Sequence, residues 1–179
     1  MADQYLGDVT IHSSHPFLDP AGERDPARRL RGRIGGVVSL WTTGEGAGRA
    51  GLTVSSYVVA GGEPARVLGL IDPDSDLADA LEETGRAVVQ LLRWEHRDLA
   101  DAFAGVAPAP GGPFRLAEWE QTGHGPRLAT ATTWALVTVE QTTEVGWSTL
   151  VTAVVDEVGV GDEPDPLVHR RGSYQRPPT

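Results

Sequence analysis

The feature that most constrains this fold is a pair of β-branched runs in the last third of the chain, at residues 131–140 and 148–155. Both are rich in Val and Thr and partly alternate apolar with polar residues, which is typical of half-buried β-strands. Five further segments share this character, and the first two of them end at Gly-containing turns. They are residues 34–43, 52–59, 66–71, 87–92 and 166–174. The sequence therefore predicts a mainly β chain of about seven or eight strands.

Two short helices are predicted between these strands. The first begins at the polar segment 72–76, whose carboxylate and hydroxyl side chains can cap free N–H groups, and it ends at Gly85. The second covers about residues 95–104, where Leu99 and Phe103 lie one helical turn apart. So little helix among so many strands favours a closed or half-open β-barrel over a βαβ sheet.

The chain of 179 residues suits one domain. Residues 1–31 are polar, contain Pro and mix charges, so we expect an irregular N-terminal arm or a short added element. The domain itself is predicted to span residues 32–179. The N-terminus lacks the pattern of a signal peptide, and no apolar run approaches the ~20 residues of a membrane span, so a cytoplasmic protein is expected.

Composition excludes several kinds of chemistry. There are 15 basic and 25 acidic residues, for a net charge of −10, and such a surface repels nucleic acid and anionic membranes. The chain contains no Cys, Lys or Asn, which excludes disulfides, thiol nucleophiles, Schiff-base lysines and lysine-based phosphate loops. The five His residues do not form a metal-binding pattern, and no metal is expected. Any anion site must be built locally from arginine.

Three segments, in order, carry a family resemblance. They are Ala50-Gly-Leu-Thr-Val-Ser-Ser-Tyr57, Leu70-Ile-Asp-Pro-Asp-Ser-Asp-Leu77 and Pro166-Leu-Val-His-Arg-Arg-Gly-Ser-Tyr174. Together they resemble the flavin-reductase-like FMN-binding split-barrel family, over roughly residues 30–177. The resemblance implies a split β-barrel of Greek-key type, and a homodimer that binds FMN, or FAD, near the subunit interface. It also implies flavin reduction by NADH or NADPH, and in some members a partner monooxygenase that receives the reduced flavin.

The resemblance, with the chemistry of the side chains, marks a set of cofactor-binding residues. Small hydroxyl residues with an apolar neighbour suit the polar edge of a flavin ring, and a helix start or an arginine suits its phosphate. The expected residues are Leu52, Thr53, Val54, Ser55, Ser56, Asp72, Ser75, Trp147 and Arg171. If the Thr53 hydroxyl meets the flavin, Thr53→Val should weaken binding by roughly 1–3 kcal/mol. No catalytic residue is assigned.

Two departures from the family pattern leave alternatives open. Asp74, Asp76 and Leu77 replace residues of the phosphate segment, and these carboxylates can act simply as helix caps. Arg49, Arg86 and Arg170 are other candidates for phosphate. The family's Gly-Asp-His triplet is replaced by Gly146-Trp-Ser148, and Trp147 either covers the ring, blocks the nicotinamide or is an ordinary strand aromatic.

Three functions are therefore compared. The first is an NAD(P)H-dependent flavin oxidoreductase that transfers hydride from the nicotinamide to flavin N5. The second is a non-catalytic flavin-binding or ligand-sensing dimer, a degenerate member of the family. The third is a dimeric barrel without flavin that holds haem or a deazaflavin.

Overall fold

The computed structural model describes residues 26–176, which form three helices and twelve strands. The helices are α1 Pro26–Ile34, α2 Asp76–Thr84 and α3 Arg97–Phe103. The strands are β1 Gly36–Val37, β2 Ser39–Thr43, β3 Ala50–Val54, β4 Tyr57–Ala60, β5 Arg66–Ile71, β6 Arg86–Leu91, β7 Trp119–Thr122, β8 Gly125–Leu128, β9 Trp134–Val145, β10 Ser148–Gly159, β11 Val168–Arg170 and β12 Ser173–Gln175.

The main sheet has seven antiparallel strands in the order β3-β2-β6-β9-β10-β5-β4. Its two edge strands, β3 and β4, are consecutive in the chain and are joined only by Ser55 and Ser56. A flat sheet of this size is about 29 Å wide, whereas this connection spans roughly 10 Å at full extension. The sheet must therefore curl until its edges approach each other, which gives the half-barrel and confirms the predicted split-barrel class.

A contact across the interior shows how tightly the sheet curls. Trp41 on β2 is fully buried, and its ring lies against Gly69 on β5, four strands away in the sheet order. A Cβ on Gly69 would stand only 2.6 Å from two carbons of the indole. Val54, Val137 and Val151 complete the core around it. The barrel interior is thus filled by an indole that needs a residue without a side chain opposite it.

Helix α3 covers the outer face of β3 and encloses a second core. The Phe103 ring packs against Gly51, where a Cβ would be 2.7 Å from the ring. The Thr53 hydroxyl donates a hydrogen bond of 2.7 Å to the carbonyl of Ala100. Leu40 on the neighbouring strand joins the same cluster. Alternate residues of β2 and β3 therefore face the barrel interior and the helix, and both faces are buried.

Helix α2 follows the local signals in the sequence. The Ser75 side chain is its N-cap and accepts a hydrogen bond from the N–H of Ala78 at 3.2 Å. Leu77 and Leu81, one turn apart, are buried in the barrel core, and Gly85 ends the helix with a φ of 63°. This helix was predicted correctly because capping, periodicity and the terminating glycine all agree.

Other boundaries differ from the sequence-based predictions. The run 34–43 begins inside α1 and continues as two strands, the run 52–59 breaks at Ser55 and Ser56, and the run 166–174 is the hairpin β11–β12. Hairpin β7–β8 was not predicted, and residues 26–176 form three helices rather than two. The division into an arm, residues 1–31, and a domain, residues 32–179, stays a prediction. Its boundary falls inside α1, and residues 1–25 lie outside the described range.

Candidate functional site

A groove of about 1660 Å³ opens between α1, the seam of the barrel and the β11–β12 hairpin. Its lining comes from segments far apart in sequence, including residues 31–37 and 55–59, and His169, Arg171 and Gly172. The volume exceeds the roughly 300–1,000 Å³ of a typical single-ligand pocket. The groove is therefore large enough for a flavin and still has room for a second ligand beside it.

Ser55 and Ser56 lie in the groove wall at the seam where the chain crosses from β3 to β4. The carbonyl of Ser56 accepts a hydrogen bond of 2.9 Å from the N–H of Leu70. Leu70 and Tyr57 provide apolar surface beside the hydroxyls. Burial raises the pKa of Tyr57 to about 12, an effect that a hydrogen bond with Ser39 partly offsets, so the phenol stays neutral. The wall thus combines two serines with apolar and aromatic residues, a composition that suits a flavin ring.

The opposite side of the groove is cationic. Four arginines of the nine-residue helix α1 line it, together with one arginine from the β11–β12 turn. These residues are Arg28, Arg29, Arg31, Arg33 and Arg171. No Asp or Glu belongs to the groove lining within residues 26–176. We call these five arginines the arginine rim; they concentrate a third of the chain's 15 basic residues at one groove of an acidic protein.

Arg171 occupies an unusual backbone conformation. It is the one non-glycine residue with positive φ, 54°, among residues 26–176, and Gly172 follows with a φ of 80°. Together they form the two-residue turn between β11 and β12. Turns with two positive φ angles favour Asn and Gly, so arginine there is strained.

His169 places an imidazole in the same groove. Burial lowers its pKa, the nearby Arg31 lowers it further, and Asp101 acts in the opposite direction. Its ring meets that of Tyr174 edge to face, with 5.7 Å between centroids. At neutral pH the imidazole is therefore neutral, and the groove's positive charge comes from arginine.

Three predicted residues of β3 have other surroundings. Leu52 packs against the barrel core, and Val54 is buried within it. The Thr53 hydroxyl is bonded to the Ala100 carbonyl under α3 and faces away from the groove wall. The predicted stretch thus contributes to the groove only through its last two members, Ser55 and Ser56, because β3 is covered on both faces.

The predicted phosphate segment is satisfied by its own side chains. The Ser75 hydroxyl donates to the carbonyl of Asp72 at 2.6 Å and caps α2 through Ala78. The Asp72 carboxylate accepts from the N–H of Asp74 at 3.0 Å. Neither Asp72 nor Ser75 is part of the groove lining. The Ser75 hydroxyl and the Asp72 carboxylate are thus engaged locally, and Asp72, Asp74 and Asp76 put three carboxylates at or next to the helix start.

Trp147 and the alternative arginines also lie elsewhere. Trp147 is at the tip of the β9–β10 hairpin, 75% exposed and outside the groove lining, although Val145 beside it belongs to that lining. Arg49 stacks on Phe114 with 4.8 Å between its guanidinium carbon and the ring centroid. Of the four arginines considered from sequence, the groove lining includes Arg171 and omits Arg49, Arg86 and Arg170.

Sequence reasoning missed the α1 arginines and His169 as groove residues. The signal for α1 was present, since the segment Pro26-Ala-Arg-Arg-Leu-Arg-Gly-Arg-Ile34 carries four arginines in a chain of net charge −10. It was assigned to an irregular arm because Pro and mixed charge dominate the residues before it. For metals, residues 26–176 bring no three His, Asp or Glu side chains into a binding group, and the prediction of a metal-free protein stays a prediction. No helix in that range could cross a bilayer.

Comparison with known families gives the groove its context. A family model described as "Flavin reductase like domain" matches residues 31–178, almost the whole chain. The chain belongs to this family. The match covers the groove's α1 edge from Arg31 onward, the Ser55–Ser56 seam and the β11–β12 turn. The resemblance noted from three short segments is thereby confirmed.

Relatives with curated names share about a quarter to a third of their residues with this chain. It is 30% identical over 128 residues to "FMN reductase (NADH) RutF" of Ancylobacter novellus, covering 71% of this chain and 70% of the relative. It is 31% identical over 144 residues to "NADH:FMN oxidoreductase" of Rhodococcus erythropolis, with 78% and 74% covered. The "4-hydroxyphenylacetate 3-monooxygenase reductase component" of Pseudomonas aeruginosa is 24% identical, with 83% and 89% covered.

Solved structures of flavin reductases share the fold. "Flavin reductase PheA2 in native state" superposes with a TM-score of 0.78 at 21% identity, covering 88% of this chain and 100% of the other. The "NADH:FAD oxidoreductase SgcE6" of Streptomyces globisporus C-1027 gives a TM-score of 0.78 at 21% identity, with 90% and 100% covered. At this identity the likeness establishes the half-barrel architecture of the flavin reductase family.

Proposed function

We propose that this chain is a flavin reductase that binds FMN and reduces it with NADH. The observation that carries the proposal is the groove itself, which combines Ser55 and Ser56 of the first family segment with Arg171 of the third. Relatives named as NADH-dependent FMN reductases support the choice of flavin and reductant. FAD and NADPH are the alternatives for each ligand.

The groove fits a flavin by its shape and by the chemistry of its walls. Leu68, Leu70 and Leu150 offer an apolar surface for the ring system, and the two serine hydroxyls lie at its margin. When bound, flavin supplies a hydride acceptor at its N5 atom. The residues of the chain position the ligands, and the apolar wall excludes water from them, which suits a transfer that depends mainly on closeness and stacking.

We further propose that the protein is a homodimer in which a second copy covers the apolar part of this groove. Edge strand β4 exposes Val58 by 62% and Val59 by 66%, and both line the groove. An uncovered edge strand with adjacent apolar side chains invites pairing with another chain. Gel filtration with light scattering measures the mass, and Val59→Glu should shift a dimer toward monomer.

The electron acceptor is proposed to be a separate flavin-dependent monooxygenase. One relative is named as the reductase component of a 4-hydroxyphenylacetate 3-monooxygenase, which supports a two-component arrangement. In such an arrangement the reductase must release reduced flavin, and the groove's openness along α1 provides an exit. A cytoplasmic location stays a prediction.

An anaerobic titration tests the function. Purified protein is dialysed against FMN, and NADH is then added while the visible absorption of oxidised flavin is followed. We expect the flavin band to bleach, and with oxygen present we expect continuous oxidation of NADH. A protein that stays colourless after dialysis, or a flavin band that persists with both NADH and NADPH, would refute the reductase.

The residue at position 148 motivates the non-catalytic alternative, and His169 bears on it. Ser148 stands where the family's triplet has its His, at the start of β10. His169 supplies a neutral imidazole to the groove from β11, so the substitution at Ser148 leaves one imidazole available. Bound flavin that neither nicotinamide nucleotide can bleach would establish the non-catalytic, flavin-binding role.

A further inference from the structure

We propose that the terminal phosphate of the flavin binds to the arginine rim in this chain, and not at the start of α2. This inference rests on the proposed function, because it concerns the same ligand in the same groove. It concerns where the anionic end of that ligand is held and which residues determine the preference for FMN over uncharged riboflavin.

The start of α2 is chemically unsuited to a phosphate. The Ser75 hydroxyl is engaged on both sides, donating to the Asp72 carbonyl and accepting from the Ala78 N–H. The Asp72 carboxylate takes the N–H of Asp74. A phosphate at this helix start would face the negative charge of three carboxylates, on Asp72, Asp74 and Asp76.

The arginine rim offers the opposite charge. Arg29 and Arg33 are one helical turn apart, so they project from the same face of α1, and both line the groove. Like charges at this spacing repel each other, and the first turn of α1 contains no acidic residue. A bound dianion would offset that repulsion, and guanidinium groups bind phosphate oxygens through paired hydrogen bonds.

Backbone strain at Arg171 is an independent observation at the same place. The turn between β11 and β12 favours Asn or Gly at the first position, and arginine there has a φ of 54°. A strained non-glycine residue persists where its side chain serves a purpose. Arg171 also lines the groove, so the strained residue presents a guanidinium group to the proposed phosphate.

Hydrogen bonds hold the two parts of the rim together. The Arg171 N–H donates to the Gly32 carbonyl at 2.8 Å, and the Arg170 Nε donates to the Arg33 carbonyl at 3.3 Å. The helix is thus fixed to the strained turn by its last residues. A rim prearranged in this way needs little reorganisation to bind an anion.

The test compares FMN with riboflavin, which differ by the phosphate alone. Dissociation constants for both are measured by fluorescence quenching in the full-length protein and in Arg29→Gln/Arg33→Gln, two exposed positions where Gln keeps helix propensity. Arg97→Gln, at a half-exposed arginine outside the groove lining, is a control for the removal of one positive charge elsewhere. Ser75→Ala tests the competing location.

We expect the double variant to raise the dissociation constant for FMN about tenfold or more and to leave that for riboflavin unchanged. Arg97→Gln and Ser75→Ala should preserve the FMN preference. An unchanged preference in the double variant, or its loss in Ser75→Ala, would overturn the proposal. So would equal weakening of both flavins, or weakening of NADH binding alone. If one of these results is found but riboflavin still binds and NADH still bleaches its absorption, the proposed reductase function holds and only the phosphate location is wrong. A protein that binds neither flavin would refute both.

Discussion

Replacing Gly69 by Ala tests the closure of the barrel. The added methyl group would stand 2.6 Å from two carbons of the Trp41 ring, whereas carbon atoms in contact are about 3.5–4.0 Å apart. The indole must therefore move about 1 Å away from Gly69. This movement weakens the hydrogen bond of 3.0 Å that the indole N–H donates to the Ser39 hydroxyl. In a flat sheet these two strands would be about 19 Å apart and could not interact.

The expected loss of stability follows from these contacts. Overpacking a filled core costs about 1–3 kcal/mol, and weakening the indole hydrogen bond adds about 1 kcal/mol. Removing a glycine from a strand returns about 0.5–1 kcal/mol. We therefore expect Gly69→Ala to lower the free energy of unfolding by roughly 2 kcal/mol, or the Tm by about 4–8 °C.

Urea unfolding followed by circular dichroism measures this loss, and a double-mutant cycle assigns it. Trp41→Phe removes the ring atoms nearest Gly69, so in that background the added methyl should cost less than about 0.5 kcal/mol. Gly61→Ala, where a Cβ meets nothing within 4 Å, is the matched control. The closure argument fails if Gly69→Ala is as mild as the control, or if its effect adds to that of Trp41→Phe within about 0.5 kcal/mol.

Three further predictions test individual interactions. Thr53→Val should lower the free energy of unfolding by about 1 kcal/mol, through loss of its bond to Ala100, and leave the FMN affinity unchanged; weaker FMN binding would return Thr53 to the site. Arg171→Gly should raise the free energy of unfolding by about 0.5–1 kcal/mol, because glycine adopts a positive φ without strain, and it should weaken FMN binding. A destabilised variant would show that Arg171 is not strained. Burial lowers the pKa of His96, which accepts a hydrogen bond from the Arg93 N–H, so the unfolded chain takes up the proton first as pH falls. The free energy of unfolding in urea should therefore decline below about pH 6.5, and His96→Asn should make that decline less steep. If the two proteins lose stability equally as pH falls, His96 is not the cause of the decline.

The barrel could be predicted from the sequence where local signals and tertiary packing agree. Strand β5 has the predicted bounds, Arg66–Ile71, because its apolar run is flanked by turn residues on both sides. Helix α2 was predicted for the same reason, with its cap at Ser75 and its end at Gly85. The three segments of the family resemblance also located two sides of the groove, the seam at Ser55 and the turn at Arg171.

The remainder depended on contacts that no local pattern contains. The run 52–59 looks like one strand because its residues favour extended backbone throughout. In the curled sheet, however, its two halves are β3 and β4, which form opposite edges, and the run breaks between them at Ser55 and Ser56. Thr53 looked equivalent to these serines, and its partner is a helix carbonyl about fifty positions away in the chain. The helix that packs against a strand determines whether a hydroxyl on that strand is covered or faces a groove.

Three departures from ordinary folding rules border the same groove. A strand pattern breaks at the barrel seam at Ser55 and Ser56, a short helix carries four arginines, and Arg171 takes a conformation suited to glycine. Such departures reduce local stability, and natural sequences tend to retain them where they contribute to ligand binding. Substitutions that restore the ordinary choice, such as Arg171→Gly, should therefore gain stability and lose flavin affinity together. A gain in stability together with a loss of flavin affinity therefore identifies a ligand-binding groove. In a surface cleft without a function, the same substitutions would improve stability and leave flavin affinity unchanged.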